Sequence, residues 1–111
     1  MKKIILGLTL LTSTFGFSQL TGDLATDARP ITSEIPFTKE MNREGVLVFD
    51  IVVDRKGKVT SCEIDKVKST INSERYAYEA KNSILVDLKF EAGNNFPPFH
   101  RGTVTIKAVV E

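Results

Sequence analysis

Apolar and polar residues along this chain fall into four patterned stretches separated by turn chemistry. From Gly45 the run Val46-Leu47-Val48-Phe49-Asp50-Ile51-Val52-Val53-Asp54 is β-branched and aromatic and predicts a strand. Leu47, Phe49, Ile51 and Val53 share one face; Val46, Val48 and Val52 share the other with Asp50, so the strand is expected to be central. Asp54-Arg55-Lys56-Gly57-Lys58 predicts a turn, because Asp bonds the backbone ahead of it and Gly57 tolerates positive φ. The return run, Val59 to Val67, alternates with Cys62 and Ile64 on one face and Ser61, Glu63 and Asp65 on the other. Val59 falls out of phase, which places a bulge near residues 60–61. The two runs form a hairpin.

A helix follows, capped by Asn72 or Ser73 with Glu74 in its first turn. Tyr76, Ala77, Ala80, Ile84, Leu85 and Leu88 recur at three- and four-residue spacing and give it one apolar face, expected to cover Leu47, Phe49, Ile51 and Val53. Gly93 and Pro97-Pro98 end any continuation. The closing run from Gly102 to Val110 places Val104, Ile106, Ala108 and Val110 on one face and Thr103, Thr105, Lys107 and Val109 on the other. The expected architecture is α+β: a ββαβ domain over residues 45–111, a three-stranded antiparallel sheet with its first strand central, packed on one helix.

Upstream the pattern dissolves. Residues 19–44 lack a sustained period and are broken by Pro30 and Pro36, so they are expected to form a flexible lead segment, with Ile35 and Phe37 fastening its end to the domain. Before it, Lys2-Lys3, the apolar stretch from Ile4 and the small residues Gly16 and Ser18 match a secretory signal peptide over residues 1–18, cleaved near Ser18-Gln19. The uncharged stretch, interrupted by Thr9, Thr12, Ser13 and Thr14, is short for a membrane span of about 20 apolar residues. A periplasmic location with no membrane span after cleavage is expected; a retained anchor is the alternative.

Charge and chemistry narrow the function. Export leaves thirteen basic groups (fifteen less Lys2 and Lys3) against fourteen acidic ones, so nucleic acid is not an expected partner. The single Cys62 cannot form an internal disulfide and, on a strand face, is expected to be a small buried hydrophobe. There is no nucleophile elbow, phosphate loop or dinucleotide fingerprint, and His100 with Cys62 is too little for a soft metal site. The carboxylates Asp50, Asp54, Glu63 and Asp65 are expected to be solvated charges. No catalytic residue, cofactor or metal is expected, and the chain is not expected to be an enzyme. In the loop Pro97-Pro98-Phe99-His100-Arg101, Phe96 or Phe99 is expected to plug the core. With the first strand central, each outer strand should present unpaired N–H and C=O groups, and the closing strand, protected by Lys107 alone, is the expected place for a partner strand to add. The candidate partner-binding residues are Arg101, Thr103, Val104, Thr105, Ile106, Lys107 and Val109.

The run Gly45–Val59 resembles the Gly-x-Val-x-Val-x-Phe-x-Val-Asp-x-x-Gly-x-Val hairpin of the TonB C-terminal domain family. The helix with Ala77 and Ala80, its end at Leu88-Lys89-Phe90, and the Arg101-Gly102-Thr103-Val104-Thr105 start of the closing strand are similar to that family as well. The resemblance spans residues 45–111, in a short form without the family's usual anchor and Pro-rich spacer. It implies a Gram-negative periplasmic domain that accepts an extended segment of an outer-membrane transporter on its last strand. A full energy transducer with a retained N-terminal anchor, and an envelope protein pairing with its own copy as a homodimer, are the alternatives.

Overall fold

A computed structural model of the chain describes residues 19–110; the expected signal peptide lies outside them. Along the chain run β1 (Leu20–Thr21), α1 (Asp23–Thr26), β2 (Ile31–Ser33), β3 (Thr38–Glu40), β4 (Gly45–Val53), β5 (Val59–Ile64), α2 (Glu74–Asp87), β6 (Lys89–Phe90) and β7 (His100–Val109). The class is α+β, with mostly antiparallel strands.

The hairpin forms where alternation placed it. β4 pairs antiparallel with β5, Ile51 opposite Cys62, and the register shifts between Val52 and Val53, where Ser61 and Val59 face them. That bulge moves Val59 onto the core side, where it is 2% exposed. In the turn, Asp54 Oδ1 accepts the N–H groups of Lys56 and Lys58 at 2.9 Å each. Gly57 has φ 88°, and a Cβ there would lie 1.9 Å from the Phe90 carbonyl oxygen, so only glycine fits beneath the chain leaving α2. β5 stops at Ile64, short of the expected Val67. Asp65 Oδ1 there takes the N–H groups of Val67 and Lys68 and starts a turn instead.

α2 begins at Ser73, whose side chain accepts the Tyr76 N–H at 3.3 Å. It packs chiefly on β5, and its Ala80 and Ile84, with Leu88 just beyond, join Leu47, Phe49, Ile51 and Val53 in one core. The closing strand lies antiparallel to β4 along its whole length, from Gly45 opposite Ala108 to Val53 opposite His100. β4 therefore sits between β5 and β7.

Two expectations need correction. The sheet has five strands, not three, and a separate two-stranded sheet pairs β2 with β6. Three of the four additional strands come from the segment expected to be flexible, and β6 follows α2. Residues 20–41 supply β1, α1, β2 and β3, and bury Leu24, Ile35 and Met41. Of the two residues expected to fasten this segment, Ile35 is buried and Phe37 half-buried. Leu24 lies against Gly102, where a Cβ would meet its Cδ1 at 2.5 Å, so α1 reaches β7 only because that position is glycine. The lead segment is a part of the core and a part of the sheet.

Candidate functional site: the two edges of the sheet

An unpaired strand edge leaves a row of N–H and C=O groups that a partner, a water or the protein itself must satisfy. At β7 the protein does so. β1 lies antiparallel to it, Leu20 opposite Val104 and Thr21 opposite Thr103, and β3 lies parallel to it, Thr38 opposite Lys107 and Glu40 opposite Val109. The Thr105 N–H donates to the Gln19 carbonyl at 2.8 Å, the Lys107 N–H to the Phe37 carbonyl at 2.9 Å, and the Val109 carbonyl accepts the Met41 N–H at 2.9 Å.

The expected open edge at the closing strand is thus closed, which corrects the placement of the binding residues. Thr103, Val104, Thr105 and Lys107 are engaged on both sides, by β4 and by the lead segment, and Val109 is engaged by the lead segment. Val104 and Ile106 point into the core at 0% and 3% exposure. Arg101 is exposed, lining a shallow depression of about 560 Å³ on the open sheet face with Asp50, Glu63 and Thr103. On that face Thr103 Oγ1 donates to Asp50 Oδ1 at 3.2 Å.

The lead segment is held by a buried polar cluster that local sequence patterns do not disclose. Arg29, 3% exposed, donates from Nη2 to the carbonyls of Asp54 at 2.9 Å and Glu91 at 2.7 Å, and from Nε to Glu91 again. Its guanidinium lies 4.0 Å from the centroid of the Phe96 ring. Burial lowers the Arg29 pKa, and the charges of Asp54 and Glu91 work the other way. Arg29 Nη1 also lies 3.3 Å from His100 Nδ1, while His100 Nε2 lies 2.8 Å from Asp27 Oδ2. Arginine only donates, so Nδ1 is the acceptor and the ring proton sits on Nε2, facing Asp27. Both ring nitrogens are engaged and the ring is 1% exposed, which leaves His100 no free position toward a substrate. Of the two phenylalanines expected to plug the core, Phe96 covers Arg29 and stacks near His100, whereas Phe99 is 72% exposed.

The open edge lies on the other side. β5 ends the strand order and pairs with β4 alone. The Asp65 N–H donates to the Val48 carbonyl at 2.7 Å, and alternation from that bond turns the Glu63 backbone toward β4 and those of Cys62 and Ile64 outward. Ile64 also borders a cavity of about 280 Å³ between the end of β5, the 66–73 loop and the first turn of α2, lined by Ile71 and Ala77. Beyond Ile64 this loop takes over the edge of β4: the Thr70 N–H bonds the Val46 carbonyl, and Ser69 Oγ accepts the Val48 N–H.

Cys62 faces inward here, 3% exposed, and burial pushes its thiol up to about 12 from 9.0, with Lys81 of α2 partly offsetting the rise. The thiolate is the nucleophile, so alkylation at pH 8 should be slow in the native chain and fast in urea, followed by mass. Because the folded state holds the proton more tightly, stability should decline from pH 9.0 toward about 12, and less steeply in Cys62→Ala. Rapid native alkylation would contradict the buried placement.

Among the described residues no group of three or more His, Cys, Asp and Glu could hold a metal ion, and no helix is long and apolar enough to cross a membrane. Comparisons with protein-family models, with curated proteins and with solved structures find no match for this chain.

Proposed function

We propose that this chain is an exported, non-catalytic protein-binding domain of the TonB C-terminal kind, which takes up an extended segment of an envelope protein by strand addition. The edge that receives the segment is β5, not the closing strand. One observation carries this reading: β5 is paired on one side only, with the backbone groups of Cys62 and Ile64 facing outward. Strand addition supplies affinity through such main-chain groups, each hydrogen bond contributing about 1 kcal/mol net. The hairpin and closing-strand motifs that resemble the family support the class of partner, an outer-membrane transporter or another envelope protein.

Photocrosslinking in envelope extract tests it, with the crosslinking side chain placed at Thr60 on β5 or at Thr105 on β7 of chain 19–111. A specific protein adduct is expected from position 60 and none from position 105. Adducts from position 105 alone, or from neither position, would remove the reading. Mass spectrometry of the mature N-terminus checks export, with a chain beginning at Gln19 expected.

A further inference from the structure

The geometry points to an acidic extended segment as the occupant of the β5 edge, anchored by one apolar side chain in the cavity beside Ile64. The inference rests on strand addition at β5 and specifies its partner. Five exposed lysines surround that edge: Lys56 and Lys58 before the strand, Lys66 and Lys68 after it, and Lys81 on the helix beside Cys62. The ion pairs of the described residues use Lys39, Arg75 and His100 and none of these five. Four carboxylates stand near the same edge: Asp54 and Asp65 are committed to backbone N–H groups of their turns, which leaves Glu63 on β5 and Glu74 at the start of α2 against the five lysines.

This charge selects against a second copy. Antiparallel pairing of two β5 strands centred on Cys62 would set Lys58 of one opposite Lys66 of the other, and like charges directly opposed are destabilising. An acidic guest meets the same lysines as complementary charge, which speeds encounter and sets specificity.

The cavity supplies the anchor. Ligand cavities for whole small molecules run from roughly 300 Å³ upward, and 280 Å³ with Ile64, Ile71 and Ala77 in its wall suits a single aliphatic side chain. A guest strand laid along β5 places alternate side chains on the helix side, and the one abreast of Ile64 enters this space. Lys66, Ser69, Asn72, Ser73 and Glu74 complete its lining, so the apolar wall is the part formed by Ile64, Ile71 and Ala77.

The test is fluorescence anisotropy on chain 19–111 with labelled decapeptides sharing a Thr-Val centre that contains one Leu. One carries Glu at both ends, the other Lys. The acidic peptide is expected to bind at least about tenfold tighter and to weaken as salt rises. Lys58→Glu with Lys66→Glu, exposed changes that leave the fold intact, should invert the preference. Ala77→Leu, which fills the cavity, should weaken the acidic peptide about tenfold, and binding should slow amide exchange at Cys62 and Ile64. Equal binding of both peptides with those two amides protected overturns the acidic partner and leaves strand addition standing. Binding by neither peptide, or protection elsewhere, overturns both. Self-association that protects the same amides without peptide makes a second copy the occupant and overturns the inference.

Discussion

A chain beginning at Gly45 is expected to lose cooperative unfolding and to associate, even though it contains every strand and helix that resembles the TonB C-terminal family. Removing residues 19–44 strips Leu24, Ile35 and Met41 from the core. Burial of such side chains contributes about 1.5–3 kcal/mol each, and together that approaches the roughly 5–15 kcal/mol of a whole small domain. The same cut uncovers the backbone of β7 from Thr103 to Val109, a bare edge with only Lys107 to discourage pairing. Urea unfolding and sedimentation against chain 19–111 measure both effects. A monomeric fragment with an unchanged urea midpoint would show the lead segment to be dispensable. Partner capture with residues 45–111 would report on an edge that the longer chain keeps closed.

Arg29→Ala should destabilise the chain by about 3 kcal/mol, because it takes away a charge-assisted fork and leaves the Glu91 carbonyl and the buried His100 ring without their donor, while the Asp54 carbonyl keeps only the Gly57 N–H. The Asp54 and Glu91 carbonyls and His100 Nδ1 all lose a partner at once. Arg29→Lys should recover only part of the loss, since an ammonium cannot reproduce the planar fork across two carbonyls. Arg75→Ala, which removes an exposed guanidinium from Glu79 and from the Tyr76 ring, is the control and should move the urea midpoint little. An Arg29→Ala variant as stable as the parent would mean that the cluster does not hold the lead segment.

The parts of the fold legible in the sequence are those whose periods run long enough to detect. β4 and β5 alternate over many residues, Asp54 and Gly57 mark the turn between them, and Val59 out of phase disclosed the bulge. α2 repeats its apolar positions over four turns. The lead segment was illegible for the opposite reason. Its strands are two or three residues long and α1 has four, below the length at which any period can register. Its apolar residues Leu20, Leu24, Ile35, Phe37 and Met41 were a signal of burial without a signal of place. What seats them is register against β7, and a contact between Arg29 and His100 separated by 71 positions, neither of which local pattern encodes. The edge available to a partner is hidden from the sequence for the same reason. With β4 central, local pattern favours the weakly protected closing strand, and only the pairing of the lead segment shows that this edge is covered.

Amide hydrogen exchange on chain 19–111, without any partner, tests most directly which edge is open. The Thr105 and Lys107 amides, bonded to Gln19 and Phe37, should exchange slowly, and those of Cys62 and Ile64 should exchange fast. Fast exchange at Thr105 and Lys107 together with slow exchange at Cys62 and Ile64 would return the open edge to β7 and contradict the account.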